Sequence, residues 1–396
     1  MKNKWVSGII IVSFLVLIGW FTLFNFPILS QQLSDFITHP TDIFTFGDEI
    51  SEIMKSDNLY HKDDFINLNG LYGRLSGRRL YNEVILMRNG MLNYGDMNLN
   101  AKTYEIPLIL SDFNDFVKEH GSKFVYIQFP GKYDSENALM PYGLSPQIRK
   151  EANGLVDLIQ KAGVDVLDFQ PLLADTAEDI ENNFYITDHH WKPSAAFTAF
   201  QKIIEYMKLL FPEESYDCAA LDISNWTIHE VPDQFLGSLG RRVGLYFRGL
   251  DALQYMTPNF ETKISFSYPL EKTYIEGDFE KALIREGYLE PGKDKLHTDY
   301  FFVYIGNNYP FVITKNERPV SDQKVLLIHD SYALPIIAFL STIFKEVDSI
   351  DPRSYASYYH DIPIKDYVEQ SQPDIVIMAL SPYPGVINHR DTFTFE

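Results

Sequence analysis

The sequence holds a single cysteine, Cys218, in 396 residues. One thiol cannot close a disulfide within the chain. A cysteine-poor exported protein is compatible with bacteria whose surface proteins use few cysteines. Positive charge is also scarce: 34 Lys and Arg stand against 54 Asp and Glu, a formal net charge of -20. That balance argues against nucleic acid as a partner, because phosphate binding needs a basic surface. It argues equally against wide contact with anionic lipid head groups. Solubility alone accounts for an acidic surface. No internal repeat or low-complexity tract is visible. Charge of either sign is nearly missing from the start of the chain, where Lys2 and Lys4 are the only charged side chains before Asp35.

That uncharged stretch, Val6 to Phe26, reads VSGIIIVSFLVLIGWFTLFNF. It is about the ~20 apolar residues needed to cross a bilayer as a helix. Lysines precede it and Asp35, Asp42, Asp48 and Glu49 follow it. The positive-inside bias then places Met1 in the cytoplasm and the bulk of the chain outside. A cleaved signal peptide is the rival reading, but the exit FNFPILSQQLSDF lacks an A-x-A pattern. The expectation is a single-pass cell-membrane protein: 1–5 cytoplasmic, 6–26 the span, 27–80 a polar stalk leading into the domain, and 81–396 an extracytoplasmic α/β domain.

Hydrophobic residues make up 45% and aromatics 15% of the chain, enough for one large core. From residue 82 strands and helices alternate. NEVILMRNGML predicts a short strand and a turn at Asn89-Gly90. SDFNDFVKEHG predicts a helix capped by Ser111 and stopped near Gly121. KFVYIQF (123–129) and VDVLDF (164–169) predict strands. Helices are expected over 145–163, with Pro146 in the first turn, and over 194–211. Residues 212–320, rich in Tyr, Phe, Gly and Pro, predict a β-rich insertion, with short runs such as TKISFSY and YFFVYIG. The alternation resumes with KVLLIH (324–329), a helix near 332–344, EVDSI (346–350), a helix near 363–370 and DIVIMAL (374–380). Apolar strands alternating with helices predict a mainly parallel sheet covered on both faces, with functional groups at the strands' carboxyl ends.

Two segments carry candidate chemistry. ITDHHWKPSAAF packs Asp188, His189, His190 and Trp191 together, and VLLIHDSYALP places Asp330 and Ser331 directly after an apolar strand. A serine there sits at the mouth of a helix, where backbone N–H groups face any oxyanion formed on it. It needs a base, usually histidine, whose tautomer a carboxylate fixes. Asp188 and one neighbouring histidine supply that pair. The blander readings are a helix cap at Ser331, an Asx-turn loop at 188–190, or a metal site, for which no further spaced His/Cys ligands complete a set. No cofactor is implied.

Asp-x-His-Trp followed by a helix, and far downstream an apolar strand ending in Asp-Ser, resemble the DHHW group of SGNH-hydrolase-like proteins. These are similar to the AlgJ/AlgX-type proteins of polysaccharide O-acetylation. NEVILMRNGML, FVYIQFPGKYDSENALMPYG, VDSIDPRSYAS and QPDIVIMALSP resemble further blocks of that family, together spanning roughly residues 80–390. The resemblance implies an SGNH-hydrolase-like three-layer sandwich with Ser331 as nucleophile, His190 as base and Asp188 as orienting carboxylate. It implies acyl-ester chemistry on a cell-surface polysaccharide, often beside a membrane-bound O-acyltransferase. The alternative is a non-catalytic glycan-binding or scaffold partner of such a complex. Accessory candidates are Trp191, Lys132, His189, Asp330, Arg353, Tyr355 and Asn308. Of these, Trp191 is expected to pack the loop onto the next helix, the alternative being to line an acyl or sugar pocket, and Arg353 to pair with Asp351 or brace the sheet edge. Lys132 reads either as a turn lysine or as a contact for an acidic sugar or oxyanion, and Asn307 or Asn308 as an oxyanion donor.

Overall fold

A computed structural model describes residues 2–38, 59–95, 99, 101–144, 147–290 and 294–396. Its centre is an eight-stranded sheet. The strands are β1 (Lys123–Gln128), β2 (Val166–Asp168), β3 (Ile264–Tyr268), β4 (Thr273–Gly277), β5 (Phe311–Asn316), β6 (Ser321–His329), β7 (Phe344–Ile350) and β8 (Ile375–Leu380). Their order across the sheet is β2-β1-β8-β6-β7-β5-β3-β4. The first five run parallel; β5, β3 and β4 pair antiparallel at the far edge. The sheet is therefore mixed. Part of the expected insertion, β3 to β5, extends the central sheet, while Trp226–Phe235 and Asp251–Pro258 form a separate antiparallel ribbon.

Alternate residues of the central strands feed two cores. Val125, Ile127, Val325, Leu327, Ile375 and Ile377 face the helices Pro193–Leu210 and Leu334–Leu340. Phe124, Tyr126, Leu326, Ile328, Val376 and Met378 face Ile106–Glu119, Ile148–Lys161 and Ile364–Ser371. Burial on both faces is why these strands read as unbroken apolar runs. The result is a helix–sheet–helix sandwich.

Three local expectations change. The first helix begins at Ile106, with Pro107 in its first turn, so Ser111 lies inside it and donates to the Ala162 carbonyl (2.9 Å). YFFVYIG holds a 3-10 turn, Tyr300–Val303, because Asp299 caps it by accepting from the Phe301 N–H. The stretch 27–80, expected to be a stalk, is helical through Thr38 and again over Lys62–Leu75; residues 39–58 lie outside the described ones.

The N-terminal helix Lys2–Thr38 runs through Pro27. Val12, Leu15, Val16, Ile18, Leu23 and Phe26 are exposed along it. Among the described residues no helix is long and apolar enough to cross a membrane. The side chains of residues 6–11, 14 and 17, within the expected span, lie outside the described ones.

Candidate active site

The site forms where β6 and β8 end. After His329 the chain extends at Asp330 and closes a 3-10 turn, Ser331–Ala333, that leads into the Leu334–Leu340 helix. Asp330 holds this corner. Its Oδ1 accepts from the Tyr332 N–H (2.9 Å), and its Oδ2 accepts from the Ser381 N–H (2.8 Å) and Oγ (2.5 Å) at the end of β8. The carboxylate thus acts as a brace. Ser331 is half-buried, and its backbone N–H donates to no group among the described residues.

The 188–191 loop comes to this corner from the opposite side of the chain. His190 Nε2 lies 2.8 Å from Ser331 Oγ, and His190 Nδ1 lies 2.5 Å from Asp188 Oδ1. Asp188, fully buried, also accepts from the backbone N–H of His190 (2.9 Å) and, on Oδ2, from that of Ser238. With Nδ1 protonated toward Asp188, His190 offers the Nε2 lone pair to the serine hydroxyl. Burial alone raises the Asp188 carboxyl. The electrostatic pull of the adjacent His190 and His189 rings and the hydrogen bonds from His190 outweigh it, holding the carboxyl well below the usual carboxylate range. Phe301 lies flat on the His190 ring, 3.8 Å between centroids and 8° between planes.

Three outside groups fix the loop. Lys132, after β1, is fully buried and donates from Nζ to the carbonyls of Tyr185 (2.5 Å), Ile186 (3.3 Å) and Asp188 (2.7 Å). Burial pulls its ammonium down to about 7. It is neither a solvated turn lysine nor a group open to a sugar. Asp251 accepts from the N–H groups of Ile186 and Thr187 and from the Thr187 hydroxyl. The Gly237 N–H donates to Thr187 Oγ1 (2.9 Å). Trp191 is buried, donates from Nε1 to the Tyr332 carbonyl (3.0 Å) and packs on Phe129, so it joins the two motif segments.

The other accessory residues divide. His189 Nδ1 meets Ser238 Oγ (2.8 Å), and burial with the neighbouring His190 charge holds its pKa well below the usual range. With Tyr94, Arg242, Arg353, Ser381 and Tyr383, His189 lines a cleft of about 270 Å3 beside the triad; Ser331 itself does not line it. Arg353 is tied to Asp351 by two bonds (2.9 and 2.6 Å). The Asn308 amide donates one N–H to the same Asp351. The Asn307 side chain accepts from the Asn308 N–H. Tyr355 lies in the second core, stacked on Tyr359. Ligand atoms of Asp188, His189 and His190 fall within 4.8 Å of one another. Yet both His190 nitrogens already face Asp188 and Ser331, a poor arrangement for holding a cation.

Sequence reasoning missed Gly237-Ser238, Asp251 and Phe301. All three lie in the 212–320 stretch and reach the loop only through the tertiary fold. No spacing in the sequence links them to Asp188.

This geometry is that of an SGNH-hydrolase-like α/β domain. Residues 98–244 match the family model described as "SGNH hydrolase-like domain, acetyltransferase AlgX", a range that holds Asp188 and His190 but not Ser331. Among solved structures the chain is similar to Bacillus cereus PatB1 with a sulfonyl adduct: 20% identity, 80% of this chain and 100% of that one, TM-score 0.62. It is also similar to a DHHW family protein from Eubacterium siraeum: 15% identity, 76% and 91% covered, TM-score 0.55. At these identities the likeness is one of fold. No curated protein matches in sequence. The resemblance to DHHW and AlgX-type proteins expected from the motifs therefore holds.

Proposed function

We propose that this chain is a serine-dependent O-acyltransferase, in the first instance an O-acetyltransferase, or an esterase, acting outside the cytoplasm on a cell-surface polysaccharide. The observation that carries this reading is the continuous relay Asp188 Oδ1–His190 Nδ1, His190 Nε2–Ser331 Oγ, at 2.5 and 2.8 Å. Ser331 Oγ attacks the acyl carbonyl as its proton passes to His190 Nε2. Asp188 stabilises the imidazolium. The Ser331 N–H, at the start of its turn, faces the developing oxyanion. His190 returns the proton to the leaving group, and an acyl-enzyme remains. His190 then takes a proton from a sugar hydroxyl (transfer) or water (hydrolysis), that oxygen attacks the acyl carbonyl, the bond to Ser331 Oγ breaks, and His190 returns the proton to Oγ. The match of residues 98–244 to the acetyltransferase AlgX family model supports the acetyl assignment.

The second part of the proposal is anchoring by Val6–Phe26, beside a membrane-bound O-acyltransferase that delivers the acyl group. The exposed apolar row on the N-terminal helix supports it.

The test is acyl turnover on p-nitrophenyl acetate by the full chain and by Ser331→Ala, with glycan acetylation measured in a deletion strain carrying either version. The expected result is loss of both activities in the variant. Full glycan acetylation with Ser331→Ala would sink the nucleophile and leave the scaffold reading standing.

A further inference from the structure

The helix Lys62–Leu75 is amphipathic the wrong way round. Its buried residues are Asn67, Gly70 and Gly73. Leu68, Tyr72 and Leu75, at i, i+4 and i+7, are 40%, 58% and 78% exposed. A surface helix ordinarily turns its leucines to the core. Here the core contact is made by backbone instead. A β-carbon on Gly70 would overlap the Val243 carbonyl, one on Gly73 would press on the Phe247 ring, and Asn67 Oδ1 accepts from the Leu245 N–H (2.7 Å). Docking by glycine leaves the apolar face outward.

Basic residues border this face, although the chain carries a net charge of -20. Arg74, Arg78 and Arg79 are exposed. The Arg78 guanidinium lies 5.3 Å from the centre of the Tyr72 ring and 5.5 Å from that of Tyr81. Beside it a groove of about 460 Å3 is lined by Leu71, Arg74, Leu245, Tyr246 and Leu250, with Asp233 as its one acidic residue. The acids at the start of the helix are engaged: Asp64 by His61 and Asp63 by His297. An exposed leucine and tyrosine face bordered by arginine is the composition of a membrane-surface segment, with rings at the head-group level and guanidinium groups among the phosphates.

The patch is also continuous with the N-terminal helix. His61 packs on Trp20 and Phe65 on Phe21, while the Asn25 side chain exchanges two hydrogen bonds with the backbone of Tyr60. Residues 20–25 are the outer end of Val6–Phe26, so the basic helix starts where the apolar stretch leaves off.

We infer that the outward face of Lys62–Leu75, with Arg78 and Arg79, rests on anionic lipid head groups and fixes the tilt of the domain on the bilayer. The inference rests on the anchoring part of the proposed function. It reverses, for this one patch, the expectation drawn from net charge.

The test uses the full chain reconstituted into phosphatidylcholine vesicles with and without phosphatidylglycerol. In a Cys218→Ser background, an environment-sensitive probe is placed at Tyr72→Cys or at Leu209→Cys, an exposed position on the Pro193–Leu210 helix. Quenching by head-group nitroxide lipid is then read. The expected result is severalfold stronger quenching at 72 than at 209 in anionic vesicles. That contrast should be lost in Arg74→Glu/Arg78→Glu/Arg79→Glu while flotation persists. Protein that floats with equal quenching at both sites overturns the patch and leaves the anchor. Protein that floats only on anionic vesicles, with the contrast intact, supports the patch and removes the anchor. Protein that floats on neither overturns both.

Discussion

Gly237 touches Asp188 so closely that a β-carbon on the glycine would overlap the Asp188 β-carbon and carboxylate. The backbone here is extended, not left-handed (φ -68°). The glycine is required by proximity and not by conformation. Gly237→Ala is therefore expected to push Asp188 off His190 Nδ1 without unfolding the domain. Acyl turnover should fall at least 10-fold, chiefly in kcat, with far-UV circular dichroism unchanged. A wild-type rate would show that the carboxylate's position is not critical.

Asp188→Asn tests the carboxylate itself. The amide keeps the volume but can donate to His190 Nδ1, favouring the wrong tautomer for accepting the serine proton. By analogy with serine triads in general, kcat is expected to drop roughly 10^3–10^4-fold with little change in KM. Single-turnover acylation measures it directly; a drop under tenfold would exclude a relay through Asp188.

Lys132 never touches Ser331, yet its removal should silence the site. Lys132→Met leaves the carbonyls of Tyr185, Ile186 and Asp188 without their donor, at a cost of about 2–4 kcal/mol by the usual penalty for orphaned buried groups. Thermal unfolding reads that loss. The pH dependence is a second check. The folded pKa of about 7 lies below the ordinary lysine value. Between the two values the unfolded chain binds a proton that the folded chain does not. The lysine's contribution to stability is thus full at high pH and is lost as pH falls through about 7. Wild type should gain stability relative to Lys132→Met as pH rises from 7 to 9. A flat difference would refute burial as the cause.

Asp330 and Ser381 separate a brace from a bystander. Asp330→Ala strips the acceptor from two backbone N–H groups and a hydroxyl at once. It should cost about 2–4 kcal/mol and release the Ser331 turn. Ser381→Ala loses one hydroxyl bond only, near 1 kcal/mol, and should keep most activity. Denaturant midpoints and acyl turnover on both variants decide it; equal effects would count against the brace.

Much of this was legible because the central strands are buried on both sides. Runs such as KVLLIH and IVIMAL have no other comfortable place, and the Asp-Ser at one strand end and Asp-His-His-Trp before a helix stood out by chemistry. What stayed hidden was non-local. Nothing in TKISFSY says that Ile264–Tyr268 pairs with Phe311–Asn316 and enlarges the main sheet. Ser111 looked like a cap because serine is good at capping, whereas the fold gave its hydroxyl the Ala162 carbonyl. Phe301 sat in a run with strand composition, and the local cap at Asp299 decided its conformation instead.

The position of β6 has one more consequence. Both of its neighbours, β7 and β8, follow it in the chain, and the Asp330 brace is received by Ser381. The base and its carboxylate come early, at 188–190, but their supports at Gly237, Ser238 and Asp251 and the Ser381 end of the serine turn's brace all follow. A chain cut before β8 keeps Ser331 but loses the Ser381 end of the brace at Asp330. The corner that holds Ser331 thus depends on the C-terminal strand, and damage to that distant segment would be felt at the site.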